Sequence, residues 1–259
     1  MKMRALGLGC LGAILVAMPA AADSPGKSVQ NLKGSVSYQK PNKTAKPIAS
    51  QASIVLADKD LTITGLASEA AVTLPDSSRV LVGSDSKVQL AFFDRKDIAS
   101  ASFVIYQGKF RFTVEHPAGA RADYTFKTPT GNVAVRGTQG DIGVDEDGTL
   151  HVNVYEVGNP DLPVEVTTKD GKVWDVNVGQ GFVGRYVDGV VSAKVDDLKQ
   201  QLVDEFSPDF GIPTGWDDLL RKICQREYDA EPTPPGVNVP FVGYQSVPKP
   251  KPPGCEKVL

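Results

Sequence analysis

The chain has 259 residues, 41% of them hydrophobic and 23% charged, with 28 basic and 31 acidic residues for a net charge of −3. This composition is that of a soluble globular protein, either one large domain or one domain with a small appendage. No basic cluster is present, which argues against a nucleic-acid partner.

The first residues stand apart from that domain. Lys2 and Arg4 precede an apolar run from Ala5 to Pro19, and Ala20-Ala21-Ala22 supplies the small residues of a secretory cleavage site before Asp23. Residues 1–22 are therefore expected to be a signal peptide, and the mature chain to begin at Asp23 in the periplasm or outside the cell. A retained membrane helix would want about 20 apolar residues, more than this run offers, so no stable span is expected after cleavage. A lipoprotein signal at Cys10 would want Leu where Gly7 stands. Gly7-Leu8-Gly9-Cys10-Leu11-Gly12 matches the spacing of a dinucleotide fingerprint but has no strand before it. Cleavage takes two of the 28 basic residues and none of the 31 acidic ones, which leaves a net charge of about −5.

After an N-terminal segment (23–49), short β-like runs rich in Val, Ile, Thr, Phe and Tyr follow one another to about residue 191. Val80, Val82, Val88 and Leu90 share one parity around a Gly83-Ser84-Asp85 turn. Phe110, Phe112 and Val114 repeat the device after Gln107-Gly108. Ile142 and Val144 face Leu150, Val152 and Val154 across Asp145-Glu146-Asp147-Gly148, whose Asp-Gly pair suits a tight hairpin. Closely spaced strands without intervening helices predict a mainly β body over 50–191, an antiparallel-rich sandwich or rolled sheet. A β-solenoid is the alternative, although no clean repeat period is present.

The pattern changes over 192–230. Val195, Leu198, Leu202 and Phe206 lie on one helical stripe, and Trp216, Leu219, Leu220, Ile223 and Cys224 on another, which predicts two amphipathic helices. From 231 to 259 repeated prolines predict an extended tail. Beyond the signal only Cys224 and Cys255 remain, and an even pair in an exported chain reads as a disulfide tying the tail to the second helix.

Within TPTGNVAVRGTQGDI, Val133 and Val135 point to one side, while Ala134 and Arg136 point to the other. A charged Arg136 followed by Gly137 interrupts an otherwise regular strand. The stretch resembles the TP-x-x-x-x-VRGT signature of the FecR-domain family, carried here by Thr128, Pro129, Val135, Arg136, Gly137 and Thr138. The resemblance extends over roughly 50–188, through DLTITGLASEAAVTLPDSSRVLVGSDSKVQL, YQGKFRFTV and GQGFVGRYVDG. In the best-known members, a periplasmic FecR domain receives a signal from an outer-membrane transporter. It passes that signal through one membrane helix to a cytoplasmic segment controlling a sigma factor. Only four residues precede the apolar run of this chain, so the relay is not carried over. The resemblance implies instead an exported, stand-alone β domain that binds or organises an envelope protein or a glycan.

For Arg136 a structural clamp at a strand crossing is the preferred reading, and capture of a ligand the alternative. His116 and His151, the two histidines, lie in different runs without a nucleophile motif and read as solvated or core-edge residues. Asp141, Asp145, Glu146 and Asp147 lack the spacing of a calcium loop and read as a polar hairpin tip. Phe92, Phe93, Tyr106, Phe110, Phe112 and Phe126 read as core, with Tyr106 and Tyr124 also suited to a surface. No catalytic residue, metal site or cofactor is expected. The non-enzymatic binding module is weighed against an envelope carbohydrate hydrolase, which needs no sequence motif for its two carboxylates. A concave site with paired acids would favour the enzyme, and an exposed edge or apolar patch the binder.

Overall fold

Strands occupy the chain almost continuously from Ser28 to Asp197, as its two-residue alternation requires. The computed structural model describes residues 26–115, 122–157, 162–230, 232, 237–239, 243–245, 249–253 and 255. The expected signal peptide and His116 lie outside the described residues. In chain order the strands are β1 (Ser28–Lys33), β2 (Val36–Gln39), β3 (Lys46–Ile48), β4 (Ser53–Val55), β5 (Leu61–Thr64), β6 (Glu69–Thr73), β7 (Arg79–Val82), β8 (Lys87–Arg95) and β9 (Ala99–Thr113). They continue as β10 (Ala122–Lys127), β11 (Gly131–Val135), β12 (Thr138–Val144), β13 (Leu150–Val157), β14 (Val164–Thr168), β15 (Val173–Val176), β16 (Gln180–Val187) and β17 (Val190–Asp197).

These strands fold into two facing layers. The front layer runs β4-β1-β6-β7-β9-β12-β13-β16-β17 and the back layer β3-β2-β5-β8-β9-β10-β11-β14-β15. The long β9 belongs to both: Ala99–Gln107 pairs with β8, and Gly108–Thr113 pairs with β12. The switch falls at Gly108, whose φ of +104° and whose closeness to Ser86 exclude a side chain. Among the described pairings only β9 with β10 is parallel, so the β network is mixed, and it does not close into a barrel.

The core lies between the layers. Val80, Val82, Val88, Leu90, Phe110, Phe112, Ile142, Val144, Leu150 and Val152 are all buried there, on the parity that the sequence assigns them. Rings from the two layers meet in the middle, Phe112 at 5.4 Å from Phe126 and Trp174 at 5.9 Å from Phe182. Tyr124 is buried as well, its hydroxyl donating to Asp76 at 2.7 Å, so it is not a surface residue.

The strands begin before residue 50 and continue past residue 191. Val195, placed on a helical stripe by its spacing, lies in β17, because Val191, Ala193 and Val195 also satisfy a two-residue period. Helix starts only at Gln200, as α1 (Gln200–Asp204), α2 (Ser207–Phe210) and α3 (Trp216–Ala230). A second apolar cluster joins Leu198, Val203, Trp216 and Ile223 to Tyr155 of β13. Residues 198–215 thus form a strap across the outer face of the front layer. Glycines make its seat: a Cβ at Gly143 would meet Phe206 at 3.0 Å, one at Gly181 Leu198 at 3.0 Å, and one at Gly83 Asp209 and Phe210 at 3.0 Å. Cys224 is bonded to Cys255, with Cα atoms 5.6 Å apart, as expected. In the proline-rich tail a short strand pair, β18 (Val237–Val239) and β19 (Gly243–Gln245), replaces part of the extended path.

Candidate functional site

Thr128, Pro129, Val135, Arg136, Gly137 and Thr138 mark where the chain passes from the back layer to the front. Thr128 closes a tight turn with its amide and hydroxyl on the Gly131 carbonyl, both at 2.8 Å. Pro129 lies beside Gly148 of the next hairpin, and the neighbouring Thr130 donates to the Gly148 carbonyl at 2.6 Å. Val135 is buried, and Gly137 makes the crossing with φ of +100°. The Thr138 carbonyl accepts from the Val114 amide at 3.0 Å. Arg136 reaches back toward Asp123 of β10, Nε to Oδ1 at 3.7 Å, across a side chain 27% exposed. Its Nε is buried and has no hydrogen-bond partner among the described residues.

A more deeply buried charge pair sits elsewhere, under the strap. Arg111 of β9 points outward from the front layer, and so does Asp141 on the adjacent β12, its direct register partner. The guanidinium donates through Nε and Nη2 to the two carboxylate oxygens at 2.8 and 2.9 Å, the parallel geometry of an ionised pair. Tyr155 adds its hydroxyl to Asp141 at 2.7 Å. Asp141 is therefore not part of a polar hairpin tip: it is 0% exposed, and its carboxyl is pushed up by burial against the pull of Arg111 and Tyr155. Burial also opposes charge on Arg111, but the hydrogen bonds and charge of Asp141 more than offset it and raise its pKa. The Tyr155 phenol is held protonated by burial and by Asp141. From this network Arg111 Nη1 extends to the strap, donating to the carbonyls of Phe210 at 3.1 Å and Gly211 at 3.0 Å. Asn153 donates to the Leu202 carbonyl at 3.3 Å, and Lys109 to that of Glu205.

The outer face of the back layer contrasts with this. Leu61, Ile63 and Val104 face outward and are half-buried, while Phe92 and Tyr106 stand 45% exposed. Phe92 is directly opposite Ser102 across a β-bulge. Two of the six aromatics read as core thus lie on a surface. For Phe92 the reason is a bulge between Leu90 and Phe92, which reverses the parity of β8; for Tyr106 it is the change of layer at Gly108, across which Ile105 and Phe110 both point inward.

At one end of the molecule an open groove of about 610 Å³ is lined by Asp85, Asp145, Glu146, Asp147 and Asp209 with Lys109. His151 meets Asp145 at 3.0 Å on its flank, with an imidazole side chain 18% exposed, so it is a core-edge residue. Asp147 is held below the usual carboxylate range by Thr149, a cause that suits a hairpin turn. No group of three or more His, Cys, Asp or Glu among the described residues is placed to hold a metal ion. No helix among them is long and apolar enough to cross a membrane.

Comparison with known proteins finds a family model that matches part of the chain. The family model described as FecR protein matches residues 60–157, from the start of β5 to the end of β13. That span contains the crossing motif and also Arg111, Asp141, Asn153 and Tyr155, but not the strap they hold. No curated protein matches the chain. Two crystal structures of a candidate anti-sigma factor from Parabacteroides distasonis, at 1.65 and 2.50 Å resolution, are similar, each with 20% identity and a TM-score of 0.42. Each match covers 53% of this chain and 60% of the other, so this chain spans less than two thirds of the solved protein.

Proposed function

From the FecR domain that this chain carries at residues 60–157, we propose that it is a non-enzymatic interaction module of the bacterial envelope, periplasmic or secreted, that binds an envelope protein and takes part in signalling or scaffolding. The observation that carries the reading is the outer face of the back layer, where Phe92 and Tyr106 are exposed beside half-buried Leu61, Ile63 and Val104. Large side chains grouped on a flat sheet face are a feature of binding surfaces. The charged start, the apolar run and the disulfide support export.

A photo-crosslinking residue in place of Phe92, in the mature chain expressed in its envelope, tests the reading. One dominant protein adduct is expected, lost when Tyr106→Ala is added while the melting temperature stays unchanged. Absence of any specific adduct at Phe92 and Tyr106 would sink it. The acid-lined groove favours a second reading, a carbohydrate hydrolase. A glycosidase acid needs a raised pKa, and Asp141, which burial raises, lies under the strap and is engaged by Arg111 and Tyr155. Turnover of peptidoglycan or another polysaccharide, abolished by Asp145→Asn or Glu146→Gln, would establish the enzyme instead.

A further inference from the structure

We propose that the outer face of the front layer is a peptide-binding surface which the chain fills with its own residues 202–211, and that a protein partner docks there by displacing them. The proposal deepens the reading of the chain as a protein binder and rests on it.

What the sheet recognises in the strap is mostly backbone. Asn153, Lys109 and Arg111 together engage four carbonyls, those of Leu202, Glu205, Phe210 and Gly211. A carbonyl is common to every peptide, so this set of donors reads the path of a chain more than its sequence. One polar side chain of the strap adds direction, Asp209, which accepts from the Ser84 amide at 3.0 Å and its hydroxyl at 2.6 Å. Apolar side chains add area: Phe206, fully buried above Gly143 with Lys109 at 5.7 Å from its ring, Phe210 over Gly83 with Arg111 at 5.4 Å from its ring, and Val203, fully buried. A competing segment therefore needs exposed carbonyls at similar spacing, an aromatic for the glycine seat and an acid for Ser84.

The covered face is also built to be wetted. A sheet face that is always covered gains most from apolar residues, because burying charges costs more than it returns unless every group is paired. Here the centre of the face is Arg111, Asp141, Asn153 and the Tyr155 hydroxyl, with Asp141 paired inside the sheet itself by Arg111. The Arg111–Asp141 pair remains intact when the strap leaves, and the groups that lose partners regain water. The cover, by contrast, has little structure of its own. Its helices α1 and α2 are five and four residues long and have no side-chain cap, and helices shorter than about 12 residues are marginal in isolation. The disulfide joins α3 to Cys255 and puts no cross-link between the strap and the sheet, so at its start the strap is tethered to the front layer only through its chain continuity with β17.

The test uses the full mature chain and a fluorescent synthetic peptide of residues 198–216. Three proteins are compared: the native chain, Phe206→Ala, and an oxidised Gly83→Cys/Asp209→Cys chain. In that last pair the two Cβ positions are 3.1 Å apart, within a few tenths of an ångström of disulfide reach. The peptide is expected to bind Phe206→Ala at least about tenfold more tightly than the native chain, and the locked chain least of all. Equal affinity for all three, or no binding to a folded Phe206→Ala chain, overturns the proposal. Should Phe206→Ala fail to fold, hydrogen exchange on the native chain decides. Amides of 201–211 exchanging at least about tenfold faster than those of β12 and β13 support a displaceable strap, and exchange of both only together overturns it. The peptide probe involves no envelope partner, so a failed crosslink at Phe92 and a failed peptide assay are separate results.

Discussion

The two outer faces of the sandwich solve opposite problems. The front face is polar at its centre, with Arg111, Asp141 and Asn153 all less than 7% exposed beneath the strap. The back face carries Phe92 and Tyr106, each 45% exposed, with the helices on the other side of the molecule. Polar groups are covered and aromatic groups are left in water, the reverse of what burial alone would select. The difference teaches that coverage follows specific contacts as well as hydrophobicity: the strap is held by carbonyls and by a glycine seat, whereas the back face leaves its rings exposed.

Breaking the front pair should have the largest effect. Arg111→Ala leaves Asp141 buried beside Tyr155 and frees the carbonyls of Phe210 and Gly211, so a loss of about 3 to 5 kcal/mol is expected in urea denaturation. A loss below 1 kcal/mol would mean that the face hydrates freely and the pair adds little. Next, Gly143→Val fills the seat of Phe206 without touching the core between the layers. It should cost about 1 to 3 kcal/mol and expose the strap to limited proteolysis while strand content measured by circular dichroism is kept. Loss of the strand signal would show that strap and sandwich fold as one unit. The smallest effect belongs to Arg136→Ala. Its pairing with Asp123 spans 3.7 Å, and the Asp123 side chain is 48% exposed, so the change should cost at most about 1 kcal/mol in thermal unfolding. A loss matching that of Arg111→Ala would restore Arg136 as the principal clamp and erase the contrast.

Parity made much of the fold legible. Alternation placed Val80, Val82, Phe110, Phe112, Ile142 and Val152 inside, and Asp147-Gly148 at a turn, because side-chain direction in a strand is a local property. In the structure Arg111 and Asp141 stand on the opposite parity, facing outward, but parity does not say whether an outer face is wet. What covers it comes from residues 49 to 100 positions later. The available signal is indirect: apolar residues at Leu198, Leu202, Phe206, Trp216 and Ile223 need a surface to pack on, and a β body supplies sheet faces. Val195 fits a helical as well as a strand period, so a short apolar run does not decide between them, and one bulge puts Phe92 outside where regular alternation places it in the core. The signature residues Thr128 to Thr138 were easy to find but locate a crossing, while the buried charges of the neighbouring strands had no motif at all.

The bond between Cys224 and Cys255 has a consequence of another kind. It converts the 30 residues between them into a ring that hangs from α3, since the two sulfurs are 31 positions apart in sequence. A protease cutting once anywhere in that ring releases nothing: both ends stay attached, and the chain keeps its mass apart from one added water. Cleavage there becomes visible only after reduction, because the nicked protein still migrates as a single species.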